Sequence, residues 1–319
     1  MALIFERIQT AGIAALSYLI GDDKEHTAAV IDPRRDVEIY LELARKANVS
    51  ITHIFETHIH ADLVSGAREL AARTQTAKVH ASVEGGAAYA FEVEPVKEGN
   101  RYAFGEMVLI ARHTPGHTPE HMSYVAAEQA HPDSPWGVFT GDSLFVSSAG
   151  RPDLLGKDAD KLAAQLYDTF FNVFGNLEEG VILFPGHGHG SPCGADIGDR
   201  LESTIGYEKR FNPYFQKTDR NAFVDLALST APPEPTYYRR MKKLGGLAAR
   251  PGKANPAGAR SGSGTRKRPA AFRAHRLHAV RRLPGRRDDG MGQRRFSAPR
   301  HSAGDGARRK DRLRRFAGA

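Results

Sequence analysis

The sequence predicts an α/β fold in residues 1–244 and a disordered basic tail in residues 245–319. In the first part, short apolar runs alternate with stretches whose apolar residues recur at helical spacing. Hydrophobic residues make up 40% of the chain, which is ample for a sizeable core. The charge changes at the same boundary, because residues 245–319 hold 18 arginines and three lysines against four aspartates. The tail is therefore +17, which leaves −9 for residues 1–244.

Strands and helices alternate along residues 1–244. Apolar runs bounded by glycine, proline and polar turns predict strands at residues 3–8, 16–20, 27–31, 51–55, 78–81, 102–104, 107–111, 122–126, 138–140 and 181–184. Helical spacing predicts helices at residues 36–47, 67–72, 158–174, 197–209 and 222–228. No internal repeat of the solenoid kind is present, so residues 1–244 are expected to form one domain.

Residues 56–66, which we call the metal loop, follow the predicted strand at residues 51–55. His58, His60 and Asp62 occupy every second position of this loop. Extended backbone places alternate side chains on one side, whereas a helix would scatter them. Imidazole nitrogen and carboxylate oxygen suit zinc, iron and manganese. The spacing therefore favours a metal site over a polar loop with two incidental histidines.

Three more predicted strands end in the same way. His117 lies in a stiff, proline-rich loop after one strand, Asp142 follows a second, and His187 follows a third. Side chains at the ends of neighbouring strands can meet at one edge of a sheet or sandwich, and adjacent glycines allow close backbone approach. A structural hydrogen-bonding role is reasonable for each histidine alone. The shared pattern favours one metal centre.

These residues resemble the metallo-β-lactamase fold, an αββα sandwich whose signature is H-x-H-x-D-H, then a lone histidine, an aspartate and a last histidine. The matching positions are His58, His60, Asp62, His117, Asp142 and His187. The resemblance covers roughly residues 1–240. Closer details are similar to glutathione-persulfide dioxygenases, also called sulfur dioxygenases, some of which carry an added rhodanese domain. These details are Thr-Pro-Gly-His-Thr at His117, Thr-Gly-Asp-Ser at Asp142, Gly-Arg-Pro-Asp at Arg151 and Pro-Gly-His at His187.

Leu63 departs from this signature, because the pattern has a histidine there and leucine offers no donor atom. In two-metal members of the fold, the missing histidine binds the second ion together with the equivalents of Asp62 and His187. The first ion takes the equivalents of His58, His60 and His117, and Asp142 bridges. The second site would keep too few protein ligands here, so a single-metal centre is expected.

The resemblance therefore implies a mononuclear non-haem iron dioxygenase, with one Fe(II) per chain held by His58, His117 and Asp142. The free coordination positions would admit water, dioxygen and glutathione persulfide or a similar low-molecular-weight persulfide, which would be oxidised to sulfite and thiol. His60, Asp62 and His187 would hold the ligating imidazoles or order water. Whether His60 itself touches the metal stays open at this point, as does any supporting role of His113 or His121.

Two other functions are alternatives. The first is a thioester hydrolase resembling the hydroxyacylglutathione hydrolases, in which a metal, zinc in this case, activates water. The second is nucleic-acid binding through residues 245–319, since clustered arginines neutralise phosphates. Nonspecific charge is the explanation that we favour for the tail.

Two residues outside the signature have competing explanations. Arg151 could bind the carboxylates of the substrate, since a guanidinium pairs with a carboxylate through two hydrogen bonds, or it could form a salt bridge with Asp153. Cys193 is the single cysteine, and it could be a soft metal ligand or a persulfide carrier. A buried, inert thiol is the more frequent case.

The tail contains few β-branched or aromatic residues, so we expect it to be disordered. It also lacks the cysteine that a rhodanese domain needs, which excludes sulfurtransferase activity, and its composition resembles coding sequence read in a shifted frame. One cysteine suits a reducing compartment, and no membrane span or secretion signal is predicted, so a cytoplasmic protein is expected. The expected partners are a small-molecule persulfide and dioxygen, with a homodimer as one option for the assembly.

Overall fold

The computed structural model describes residues 3–238 together with Arg240 and Met241. The predicted domain boundary at residue 244 and the predicted disordered tail lie outside the described residues. Within them, two six-stranded sheets pack against each other and helices cover their outer surfaces. None of the helices in this part of the chain is both long enough and apolar enough to cross a membrane.

The first sheet begins with antiparallel strands and continues with parallel ones. Its strands, in spatial order, are β1 (Leu3–Thr10), β2 (Ala15–Asp22), β3 (Thr27–Ile31), β4 (Ser50–Phe55), β5 (Lys78–Ser82) and β6 (Glu94–Val96). The order runs antiparallel from β1 to β3 and parallel from β3 to β6. Parallel neighbours need crossover connections. Two of these contain helices, α1 (Glu38–Ala47) before β4 and α2 (Ala67–Thr74) after it.

The second sheet is mostly an antiparallel meander. Its strands, in spatial order from the opposite edge, are β7 (Arg101–Phe104), β8 (Met107–His113), β9 (Met122–Glu128), β10 (Gly137–Gly141), β13 (Ile182–Pro185) and β14 (Ser203–Thr204). Only the pairing of β10 with β13 is parallel. A small hairpin of β11 (Leu144–Phe145) and β12 (Ser148–Ala149) follows β10. The helices are α3 (Ala159–Asp168), continued by a π-helical stretch at Thr169–Val173, α4 (Ile205–Phe211) and α5 (Arg220–Ser229).

Three apolar clusters define the layers. Between the sheets, aromatic rings from both sides meet: the ring centroids of Tyr18 and Phe139 are 5.1 Å apart, and those of Phe55 and Tyr124 are 4.8 Å apart. A second cluster joins α1 and α2 to the first sheet, and a third joins α3 and α5 to the second. The αββα sandwich that the sequence predicts is therefore confirmed.

Each predicted strand is present, but the predicted helix at residues 197–209 is wrong over its first half. Residues 203–204 instead form β14 and pair with β13. The side chain of Thr204 then accepts a hydrogen bond of 3.2 Å from the backbone N–H of Tyr207, which caps α4 at its first turn. The helix consequently begins at Ile205.

Candidate metal centre

The predicted ligands follow strands that end at a common edge of the sandwich. His58 comes three residues after β4, His117 lies in the loop from β8 to β9, and Asp142 directly follows β10. Gly141 precedes Asp142 with φ at +50°, in the left-handed region that favours glycine, and a Cβ there would lie 2.7 Å from the side chain of Thr57. The exit from β10 therefore needs glycine to bring Asp142 against the metal loop.

The side chains of His58, His117 and Asp142 converge on one point. The Nε2 atoms of His58 and His117 lie 3.8 Å and 3.5 Å from Oδ2 of Asp142, and all three residues are buried. Among the described residues, none of these three atoms has a hydrogen-bond partner. Unpaired buried polar atoms are rare and costly. A metal ion bound by the three atoms, which lie within 4.8 Å of one another, would satisfy all of them.

The other nitrogen of each ligand histidine is held by a neighbour. Nδ1 of His117 lies 3.0 Å from the backbone carbonyl of Arg151, to which it must donate. Nδ1 of His58 lies 2.9 Å from Oγ1 of Thr57, which donates its own proton to Asp32 at 2.7 Å. Both imidazoles therefore carry their proton on Nδ1 and present the lone pair of Nε2 to the cluster.

The ionisation states of the three residues also suit a cation. Burial lowers the pKa of His117, and burial together with the nearby His60 lowers the pKa of His58 well below its ordinary value. Burial alone would raise the pKa of Asp142, but its histidine neighbours, mainly His187, hold that pKa well below the usual range. Neutral imidazoles and an ionised carboxylate bind a metal without first losing a proton.

His187 lies behind Asp142 and contacts two carboxylates. Its Nδ1 is 2.7 Å from Oδ1 of Asp142, and its Nε2 is 2.8 Å from Oδ2 of Asp62. Burial alone would lower the pKa of His187, but the two carboxylates raise it to about 10. His187 and Asp62 thus orient the carboxylate of Asp142 and leave its Oδ2 free for a metal.

His60 faces two carboxylates that were not singled out from the sequence. Its Nε2 lies 3.3 Å from Oδ1 of Asp32 and 3.4 Å from Oε2 of Glu56. Although burial would lower the pKa of His60, these carboxylates raise it well above the ordinary value. Asp32 also accepts a 2.7 Å hydrogen bond from the backbone of Thr57 and so fixes the start of the metal loop. The available signal was that Asp32 directly follows β3, as the predicted ligands follow their own strands.

His121 supports the centre, whereas His113 does not reach it. Nε2 of His121 accepts a 3.0 Å hydrogen bond from the backbone N–H of Asp142, and its ring stacks on that of His58 with centroids 5.1 Å apart. Nε2 of His113 lies 2.9 Å from the carbonyl of Pro119 and stabilises the loop instead.

Comparison with known protein families agrees with this geometry. The family model described as the metallo-beta-lactamase superfamily matches residues 11–201, which is more than half of the chain. The chain belongs to the metallo-β-lactamase superfamily.

Relatives within the superfamily include two kinds of enzyme. A hydroxyacylglutathione hydrolase-like protein of Mus musculus is 30% identical over 226 residues, which cover 63% of this chain and 76% of the relative. The mitochondrial persulfide dioxygenase ETHE1 of Bos taurus is 27% identical over 202 residues, which cover 62% of this chain and 70% of the relative. The two identities are similar, so they place the chain in the superfamily without separating the hydrolase from the dioxygenase reaction.

Two solved structures share the fold of this superfamily member. The crystal structure of ETHE1 from Myxococcus xanthus is 30% identical with a TM-score of 0.63, covering 77% of this chain and 97% of that one. A metallo-beta-lactamase from Staphylococcus aureus subsp. aureus COL is 34% identical with a TM-score of 0.72, covering 77% of this chain and 73% of that one.

Leu63 stands where the superfamily signature has its second-ion histidine. It is half-buried and lines a cleft beside His58. Asp62 and His187, which would share a second ion, instead bond to each other. A ligand atom of Cys193 lies within 4.8 Å of theirs; this residue is buried, and its sulfur lies 3.2 Å from the hydroxyl of Tyr238. Burial raises the pKa of this thiol well above its ordinary value, which agrees with the inert alternative.

Arg151 forms a salt bridge with Asp153. Its Nε and Nη2 each donate a 2.7 Å hydrogen bond to the carboxylate of Asp153, and its Nη1 donates to the carbonyl of Pro192 at 3.3 Å. Its side chain is only 2% exposed. Of the two roles considered for Arg151, the structure shows the salt bridge, and substrate binding stays a prediction.

Proposed function

We propose that this protein is a mononuclear non-haem iron dioxygenase that oxidises glutathione persulfide, or a similar low-molecular-weight persulfide. The observation that carries the proposal is the set of three unpaired ligand atoms on His58, His117 and Asp142. Two imidazoles and one carboxylate on a single face are the ligand set of non-haem Fe(II) oxygenases, which keep open positions for substrate and dioxygen. The likeness to the curated relatives named persulfide dioxygenase ETHE1 supports the same reaction class.

Leu63 supports one metal ion over two. A second ion would need a donor at this position, and the side chain instead contributes apolar surface to the cleft beside His58. The hydrogen bonds of His187 to Asp62 and Asp142 occupy the groups that a second ion would use. In a single-metal centre, Asp62 and His187 would orient the carboxylate of Asp142 and would not bind a metal themselves.

The proposed reaction balances with one persulfide, one dioxygen and one water giving one thiol, one sulfite and two protons. Both atoms of dioxygen pass to the terminal sulfur, water supplies the third oxygen, and the sulfur–sulfur bond breaks with its electron pair on the thiol. Iron, when bound, supplies the redox chemistry that dioxygen requires. The chain supplies the orientation of the ligands, through Thr57, the carbonyl of Arg151 and His187.

Anaerobic purification followed by metal counting and an oxygen electrode tests the proposal. We expect about one iron per chain and oxygen uptake that depends on glutathione persulfide, with one dioxygen consumed per sulfite. His117→Ala should lose both the iron and the uptake, while His131→Ala, at an exposed position, should keep them. Bound zinc with thioester cleavage and no oxygen uptake would overturn the proposal.

The second candidate function is a metal-dependent thioester hydrolase. It is favoured by the relative named as hydroxyacylglutathione hydrolase-like, whose identity to this chain is similar to that of the dioxygenase relatives. In this case zinc in the same three-residue site would activate water, and the readout would be thiol release from a glutathione thioester under nitrogen. The same preparation therefore separates the two functions by its metal and its need for oxygen.

A further inference from the structure

A cleft opens beside the metal centre, and we call it the substrate cleft. Apolar side chains from the metal loop and from the segment before β6 form its walls: Leu63, Val64, Tyr89 and Phe91. His58 belongs both to this cleft and to the candidate metal cluster. A molecule bound in the cleft can therefore contact His58, one of the three candidate ligands.

Two exposed arginines line the substrate cleft without a carboxylate partner. Arg35 precedes α1, and Arg68 lies in the first turn of α2 with its guanidinium 5.3 Å from the ring centroid of Phe91. Within the described part of the chain, neither makes an ion pair. Nearby arginines differ, since Arg34 pairs with Asp36 at 2.8 Å. Arg73 likewise pairs with Glu38 at 2.7 Å.

The charge around the cleft favours an anionic occupant. Residues 1–244 carry a net charge of −9, whereas this cleft has two unpaired positive side chains. The carboxylate that lines the cleft belongs to Glu56, which is buried and faces His60 at 3.4 Å. The arginines are therefore free to pair with a ligand, and guanidinium pairs well with carboxylate. Arg151 is not free in this way, because Asp153 already holds it.

We propose that Arg35 and Arg68 bind the carboxylates of the persulfide substrate and select an anionic thiol carrier over an uncharged one. This rests on the proposed function for the identity of the reacting sulfur. The apolar walls would contact the carbon chain of the carrier, and its carboxylates would lie at the arginines while its sulfur lies at the end beside His58. A short acidic peptide thiol such as glutathione has this distribution of groups.

Binding and turnover measured on the same variants test the proposal. For Arg35→Ala and Arg68→Ala we expect the Kd for reduced glutathione, measured by calorimetry, and the KM for its persulfide to rise about tenfold each, with more in the double variant. The kcat should stay within about twofold, and an uncharged persulfide made from 2-mercaptoethanol should be used equally well by all variants. Arg35→Lys and Arg68→Lys should each keep part of the glutathione affinity that the alanine variants lose.

Arg45→Ala is the matched control. Arg45 is also exposed, but it lies in the last turn of α1 and is not among the residues that line the substrate cleft. Its removal should change neither constant.

Three results would overturn the proposal: glutathione that does not bind the wild type, glutathione that binds the double variant as tightly as the wild type, or equal losses for charged and uncharged persulfides. Failure of the proposed function is distinguishable from these results. In that case the wild-type protein would show no persulfide-dependent oxygen uptake. A loss of glutathione affinity in the double variant would then still support binding of an anion by the two arginines.

Discussion

Leu63 is the residue at which the sequence departs from the H-x-H-x-D-H signature of the superfamily. It follows Asp62, whose Oδ2 lies 2.8 Å from Nε2 of His187. Leu63→His would restore a donor beside these two residues, so we expect the metal content to rise from about one to about two ions per chain in zinc-supplemented medium. Elemental analysis by mass spectrometry measures this. Leu63→Phe, which adds no donor, should stay at one ion, and a Leu63→His protein that also stays at one would show that the missing histidine does not limit the site.

The sequence predicts some side-chain positions at the centre much better than others. His58 and Asp142 could be placed because each comes within three residues of the end of an apolar strand, and neighbouring strand ends share an edge. The orientation of the His60 side chain could not be predicted, because it depends on Asp32, which follows a different strand. The sequence also could not predict that Arg35 makes no ion pair within the described residues, since pairing between exposed side chains depends on the fold that brings them together.

At the scale of the element, β5 places a histidine in the packed interior. His80 is 6% exposed, its ring lies 4.8 Å from that of Phe55, and neither of its nitrogens has a hydrogen-bond partner among the described residues. Burial lowers the pKa of His80 to about 4. The unfolded chain, with a histidine pKa of about 6.5, therefore takes up the proton first as the pH falls.

The stabilisation that depends on neutral His80 is full above about pH 6.5 and is lost as the pH falls towards 4. We expect the free energy of unfolding to drop between pH 7.5 and pH 5 by up to about 2 kcal/mol more in the wild type than in His80→Phe. Urea unfolding at the two pH values measures the difference. His131→Phe, at an exposed position, should behave as the wild type, and an equal drop in His80→Phe would contradict the assignment.

The loop after β12 passes very close to Asp142. A Cβ on Gly150 would lie 1.7 Å from the backbone oxygen of Asp142, so even alanine would push the two segments apart. We expect Gly150→Ala to weaken metal binding by at least about tenfold, because the supporting shell of a metal site controls its affinity. Titration against a chelator measures this. Gly180→Ala is the control, since no atom of the described residues lies within 4 Å of its added Cβ, and unchanged affinity in Gly150→Ala would contradict the close approach.

Long apolar strands were easier to predict than short elements whose residues pair only in the fold. Strand β4 carries buried residues along its length and was predicted within one residue. Strand β14 has two residues, Ser203 and Thr204, and exists because they pair with Ile182 and Leu183 from β13. Helical spacing continued across them, so the predicted helix began too early. The capping side chain of Thr204 is the local signal that marks the true start of α4.

At the scale of the whole molecule, the two parts of the chain carry opposite net charge, −9 for residues 1–244 and +17 for residues 245–319. The candidate metal ligands and the residues that orient them all lie within the first part, between Asp32 and His187. The last described side chain packed around the site belongs to Tyr238, which is fully buried and contacts the thiol of Cys193. Catalysis and nucleic-acid binding should therefore separate when the chain is shortened.

We expect a chain that ends at Leu244 to keep the metal content, the oxygen uptake and the melting temperature of the full chain. A chain that ends at Glu234 should melt several degrees lower, because it loses the buried ring of Tyr238, a loss of about 2–4 kcal/mol. Any steeply salt-dependent binding of DNA should be confined to the full chain, since clustered arginines neutralise phosphates. Calorimetry, metal analysis and DNA titration at two salt concentrations measure these properties. Loss of metal or activity from the chain ending at Leu244 would show that residues 245–319 contribute to the catalytic domain.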